Sequence, residues 1–241
     1  MSKEFKNLLS LLKSNISENI ILAFQLAQNY KSEFEGYFGC LVEEYEEIYY
    51  FLEAHSEYKI NGFITENTYL ELQKFTVSEI PKSIVILKEI DYFRWSDNQI
   101  TIFPVEVLRF NNLSELFLQG NNISFIPIGI TQLKNLKILG LNHNQLTKLP
   151  EKIGELYNLS ELFLECNQLI ELPKDMIELE NLEILSIATN NFQAFPLEIT
   201  HYKNLRKLIL DNNQIEQFSK QIKAIKEINP LLEIVCTRST R

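Results

Sequence analysis

"LKILGLNHNQLTKLPEKIGELYN" (Leu136 to Asn158) runs without a gap into "LSELFLECNQLIELPKDMIELEN" (Leu159 to Asn181), and the two align position by position. Leu139 matches Leu162, Leu141 matches Leu164, Asn144 matches Asn167 and Pro150 matches Pro173. A fixed period changes the meaning of every residue inside it, because each unit must then fit the unit beside it. The pattern extends in both directions. Copies start at Ile90 and Leu113 on one side and at Leu182 on the other, and the register does not slip from Ile90 to Asn204. A sixth copy starts at Leu205 with three extra residues, and residues 231–236, "LLEIVC", read as a closing strand. Upstream, residues 67–89 keep Leu70, Leu72, Ile80, Pro81, Ile84 and Leu87 in phase but carry Phe75 where the others carry asparagine, which makes them a degenerate first copy.

Within "SELFL", alternation sends Leu116 and Leu118 to one face of a short strand and Glu115 and Phe117 to the other. Leu113, Ile123, Ile126, Ile130 and Leu133 then supply apolar side chains from a return path. One unit cannot bury its own apolar face, whereas stacked units bury a continuous one. The prolines at 81, 104, 127, 150, 173 and 196 lack an N–H and fix φ, so they suit the start of each return, which has room for one or two helical turns. The asparagines at 98, 121, 144, 167, 190 and 213 share one position just after the strand, where an inward amide bonds backbone groups that the bend leaves unpaired.

Each copy opens L-x-x-L-x-L-x-x-N-x-L and continues with an apolar-Pro pair. This resembles the leucine-rich repeat family, in its 23-residue LPxxIxxLxxL subtype found in bacterial proteins and in eukaryotic intracellular scaffolds. The resemblance implies an α/β solenoid over residues 67–236, with a curved parallel sheet inside and short helical turns outside. It also implies a non-catalytic role in binding proteins.

Both ends of a solenoid expose core and need covers. Residues 1–66 have helical spacing in three stretches, "KEFKNLLSLLKS", "SENIILAFQLAQNY" and "SEFEGYFGCLVEEYEEIYYFLEA", and are expected to pack on the first strand as an α-helical cap. Ser17 and Ser32 suit N-cap positions, the latter with Glu35 at capping-box spacing. The stripe Phe34, Tyr37, Phe38, Leu41, Tyr45, Ile48 and Phe51 is expected in the core, with Glu43, Glu44, Glu46 and Glu47 as a solvent-facing acidic edge. A final helix from Ser219 closes the other end, and residues 237–241 read as a frayed tail.

The formal charge of −9, from 32 acidic and 23 basic residues, repels a phosphate backbone and an anionic membrane. No stretch approaches the roughly 20 apolar residues that span a bilayer, and the first twenty residues lack the apolar run of a secretory signal. Three widely spaced cysteines, at 40, 166 and 236, argue against a disulfide framework and point to a cytoplasmic location.

Chemistry has one foothold. His143 and Cys166 occupy the same column, Asp97, Gly120, His143, Cys166, Thr189, Asn212, with Glu165 next door. Neighbouring strands bring such residues to about 5 Å, so a metal or redox function stays open beside the reading as plain surface residues. Zinc needs three or four converging ligands, and nucleophilic catalysis needs an oriented base and oxyanion donors. Neither set is visible, because His55 and His201 belong to the cap and the outer wall. No Walker loop, dinucleotide fingerprint, HExxH or GxSxG motif occurs, so the chain is expected to be neither an enzyme nor a holder of a cofactor or metal.

What remains is the concave side. Phe117, Ile138, Phe163 and Ile184 fall on consecutive strands where the fold does not require apolar groups, with Tyr92 and Ile209 at the flanks. With Arg94, Gln119, Asn142, His143, Glu165 and Asp211 around them, they are expected to bind a segment of a protein or peptide. Two other readings stand beside this one: phenylalanine and isoleucine simply suit strands, and the surface could serve self-association.

Overall fold

The computed structural model describes residues 1–14, 16–55, 63–66, 68–72 and 79–237. The alternating stretch of each copy forms a short strand: β1 (Tyr69–Glu71), β2 (Tyr92–Arg94), β3 (Glu115–Phe117), β4 (Ile138–Gly140), β5 (Glu161–Phe163), β6 (Ile184–Ser186), β7 (Lys207–Asp211) and β8 (Glu233–Thr237). They pair in chain order as one parallel sheet. The period sets the register, so Glu115 lies beside Ile138 and Glu161 beside Ile184. Leu116, Leu139, Leu162, Leu185 and Leu208 point inward and are fully buried. Phe75 and residues 238–241 of the expected tail lie outside the described residues, while Thr237 belongs to β8.

The returns are tighter than α-helical turns. Between each proline and the next strand there is room for one 3₁₀ turn, closed by i+3 to i bonds such as Val107 N–H to Pro104 O at 3.2 Å and Met176 N–H to Pro173 O at 3.0 Å. Proline is the N-cap of the turns at Lys82–Ile86, Val105–Arg109, Ile128–Gln132, Lys174–Glu178 and Leu197–His201. The turn at Ile153–Glu155 starts later, with Lys152 as N-cap.

Adjacent turns are tied by side-chain amides. Asn144 Nδ2 donates to Leu118 O at 2.9 Å and Leu141 O at 3.1 Å, and its Oδ1 accepts from Ile123 N at 2.9 Å. Asn121, Asn167 and Asn190 repeat the pattern one copy along. Asn213 does not. It is exposed, and Gln214 takes its place by donating to Ile187 O at 3.0 Å. The cause is helix α5 (Asn212–Gln217), whose capping box joins Asp211 and Gln214 and carries residue 213 away from the interior. A second ladder runs along the outside, where the asparagine ending each copy donates to the previous copy: Asn135 to Asn111 O, Asn158 to Lys134 O, Asn181 to Tyr157 O and Asn204 to Glu180 O, at 2.7 to 2.8 Å.

The N-terminal segment contains four helices rather than three: α1 (Lys3–Leu12), α2 (Ser17–Ala27), α3 (Lys31–Phe38) and α4 (Val42–His55). The expected third helix breaks at Gly39, which takes φ of +68° and caps α3 in the left-handed region. The break moves Tyr37 and Leu41 out of the core stripe, and both are exposed. Ser17 and Ser32 are not N-caps. Ser17 opens α2 behind Ile16, Ser32 lies inside α3, and the serine that caps is Ser2, whose Oγ accepts from Phe5 N at 3.1 Å. Among the described residues the cap's main contact is with the outer wall: α4 lies against the turn at Lys82–Ile86, with a hydrogen bond from Ser83 to Glu47. At the other end α6 (Ser219–Ile228) buries Ile222 and Ile225 before β8.

Candidate functional site

The strands turn every second residue away from the core, leaving one open sheet face. Tyr92, Phe117, Ile138, Phe163, Ile184 and Ile209 are all half-buried on it. Tyr69 stacks on Tyr92 with ring centres 4.3 Å apart, and Phe117 follows at 5.4 Å from Tyr92. Gly140 makes this packing possible. A Cβ there would lie 2.9 Å from Phe117 Cδ1 and 3.3 Å from Gln119 Oε1, so both side chains lie across the bare backbone of the next strand.

Charge on the face is mainly negative. Burial pushes the Glu161 carboxyl upward, and Glu115 and Glu183 push it further while Lys207 opposes them. Glu165 Oε2 accepts from Ser186 Oγ at 2.9 Å and stays half-buried. Arg94 is drawn toward the first strand, with Nε donating to Ser96 Oγ at 3.0 Å and lying 3.6 Å from Glu71 Oε1.

Asp211 does not belong to the exposed set. It is 7% exposed, and its carboxylate accepts from Gln214 N at 3.0 Å and Thr189 N at 2.7 Å. Both bonds are structural: one caps α5, the other ends the backbone ladder that runs through the corner column.

That column explains the aligned histidine and cysteine. Asp97, Gly120, His143, Cys166 and Thr189 all have φ between 52° and 67°, the left-handed region. Here the chain leaves the strand, and each backbone N–H reaches the next copy: His143 N to Glu165 O at 2.8 Å and Cys166 N to Ala188 O at 3.0 Å. Asp, Gly and His tolerate this conformation better than most residue types, so the turn accounts for His143 without chemistry. Gly120 in the column was the signal available in the sequence. Asn212 departs from it because α5 begins there.

Burial pushes the Cys166 thiol up, with Glu165 and Asp211 adding to the shift and a hydrogen bond with Thr189 opposing it. The shift keeps the thiolate scarce at neutral pH. Alkylation of Cys166 by iodoacetamide at pH 7.5, followed by mass spectrometry, is therefore expected to be slower than for a free peptide thiol. A rate equal to the peptide's would reverse this reading of its surroundings. Among the described residues no three His, Cys, Asp or Glu side chains are grouped to hold a metal, and no helix is long and apolar enough to cross a membrane.

A family model described as leucine rich repeat matches residues 111–169 and 157–215. Residues 111–215 belong to the leucine-rich repeat family. Among solved structures, a leucine-rich repeat protein of Leptospira interrogans is 31% identical, over 68% of this chain and 48% of that one, with a TM-score of 0.48. An internalin of Listeria monocytogenes is 18% identical, over 72% and 49%, with a TM-score of 0.58, a likeness of fold. The plant peptide hormone receptor RGFR1, solved in complex with RGF2, is 26% identical, over 72% and 33%, with a TM-score of 0.53. The chain thus spans about half the length of the first two. No curated protein sequence matches it.

Proposed function

We propose that this leucine-rich repeat chain is a non-catalytic module of the cytoplasm that binds a protein or peptide segment along its open sheet face. The observation that carries the reading is the half-exposed run Tyr92, Phe117, Ile138, Phe163 and Ile184 on adjacent strands. The solenoid does not need these side chains for its own core. An apolar run with aromatic anchors and a charged rim is the composition of a protein-binding surface.

Residues 67–236 act as the binding unit and residues 1–66 as its cover. Glu115, Glu161 and Glu165 favour a partner that brings lysine or arginine beside its apolar groups, because a cation there relieves a partly desolvated carboxylate. The peptide hormone receptor among the structural neighbours supports the use of this fold for peptide recognition. The three free cysteines, one buried, one half-buried and one exposed, support a reducing compartment.

The test is affinity capture from a lysate with the native chain and with the Phe117→Ala, Phe163→Ala double variant. Each truncated anchor costs on the order of tenfold in affinity, so the partner is expected to bind the double variant about 100-fold more weakly. Identical captured proteins with equal affinities would reject the face.

A further inference from the structure

A second surface lies on the flank where each strand leads into its return. Ile102 and Val105 bracket the Phe103-Pro104 pair, and Phe125 and Ile128 bracket Ile126-Pro127. Their exposures are 78%, 53%, 57% and 54%. Turns stack on this flank through backbone bonds, Asn122 N–H to Ile100 O and Gln145 N–H to Ile123 O, both at 2.9 Å. The four side chains therefore form two rows, with Ile102 beside Phe125 and Val105 beside Ile128.

In both rows the apolar pair is flanked by charge. The first reads Glu79, Ile102, Phe125, Lys148, and the second Lys82, Val105, Ile128, Glu151, with all four charged residues exposed. None of the four forms a salt bridge among the described residues. Each row carries opposite signs on its two sides, so the patch is complementary to its own reversed copy.

We propose that a second copy of this chain docks antiparallel on this flank, in a two-fold symmetric contact. A two-fold axis running across the rows, between the copies that start at Ile90 and Leu113, sets Glu79 opposite Lys148 of the second copy and Lys82 opposite its Glu151. The same axis sets Ile102 against Phe125 of the second copy and Val105 against its Ile128. A two-fold contact uses the same patch twice and so requires self-complementarity, whereas a foreign partner does not. Contiguous exposed apolar side chains with a polar rim mark an interaction site. Beside Ile102 a cleft of about 510 Å³ opens between turns, lined in part by Ile80, Pro81, Phe103 and Pro104. The arrangement points Phe125 of the second copy toward it. The docked pair leaves both open sheet faces uncovered, so this proposal stands independently of the partner-binding reading.

The test is sedimentation velocity of the full chain over a concentration series, with far-UV circular dichroism and melting of every variant to verify folding. The native chain is expected to dimerise reversibly. Phe125→Glu is expected to weaken the dimer by about 100-fold, the scale of losing a central anchor. Glu79→Lys is expected to weaken it about tenfold, and adding Lys148→Glu to that variant to restore it, as for a pair of facing charges. A native chain that stays monomeric throughout, or a dimer indifferent to Phe125→Glu, overturns the proposal. Rescue of Glu79→Lys by Lys82→Glu in place of Lys148→Glu overturns the antiparallel docking.

Discussion

Asn144→Ala is expected to destabilise the fold by about 3 kcal/mol, because it orphans a buried N–H and takes one of two amide bonds from each of two buried carbonyls, which keep only their bonds from Asn121 and Asn167. The N–H belongs to Ile123 and the carbonyls to Leu118 and Leu141, so a single side chain ties its own copy to the one before it. Alanine fills none of these needs, and Asn144 is too buried for water to replace the amide freely. A loss of this size lowers the melting temperature by about 10 °C in a chain of this length. The control is Asn213→Ala, which keeps the family position but changes an exposed residue inside α5 and is expected to cost less than about 0.5 kcal/mol. Gln214→Ala is expected to resemble Asn144→Ala, since it removes a ladder bond and half of the capping box. Melting all three variants decides the matter. Equal shifts for Asn144→Ala and Asn213→Ala would mean that the ladder does not hold the turns as described.

The second large effect is expected at Gly154. A Cβ there would sit 1.9 Å from Asp175 O and 2.7 Å from Asp175 C, and a backbone carbonyl cannot swing aside as a side chain can. Gly154→Ala is therefore expected to cost about 3 kcal/mol or more, above most overpacking substitutions. The aligned residues are Thr131 and Ile177, so from the period alone alanine would look harmless. The difference lies in the late start of the turn at Ile153–Glu155, which brings this segment against the next turn. Denaturant unfolding of Gly154→Ala measures the cost directly. A midpoint within error of the native chain's would show that the two turns separate easily.

These two positions divide what the sequence could reveal from what it could not. Strand register, the inward leucines and the asparagines from 121 to 190 follow from the period, because stacked copies must repeat their contacts. Where the copies differ, two local preferences compete and only the folded chain shows which wins. Asp211 and Gln214 have capping-box spacing, yet Asn213 sits in the family position between them, and helix capping prevailed. Asp211 alternates onto the open face by period, yet the same helix cap turns it inward. Gly39 stood in plain view within an apolar helical stripe, and its left-handed φ decided that the stripe is two helices. Most of the open-face positions could be read from alternation. The exposed flank could not, because in "ITIFP" and "ISFIP" both residues before the proline are apolar. Only packing shows that Phe103 and Ile126 turn inward while Ile102 and Phe125 do not.

The substitution of Gln214 for the ladder asparagine governs how such a protein can change in length. Tandem duplication of the segment from Leu136 to Asn158 would add one strand, about 4.8 Å of sheet, with an asparagine ready to bond the copy before it and a carbonyl ready to accept from the asparagine of the copy after it. Duplicating the segment from Leu205 to Pro230 would instead insert α5 and α6 between two strands, and its Asp211-Gln214 pair would face a turn built to receive another copy. Growth or loss of copies is therefore tolerated in the interior of the array and resisted at its C-terminal end, where the closing helix acts as a terminator.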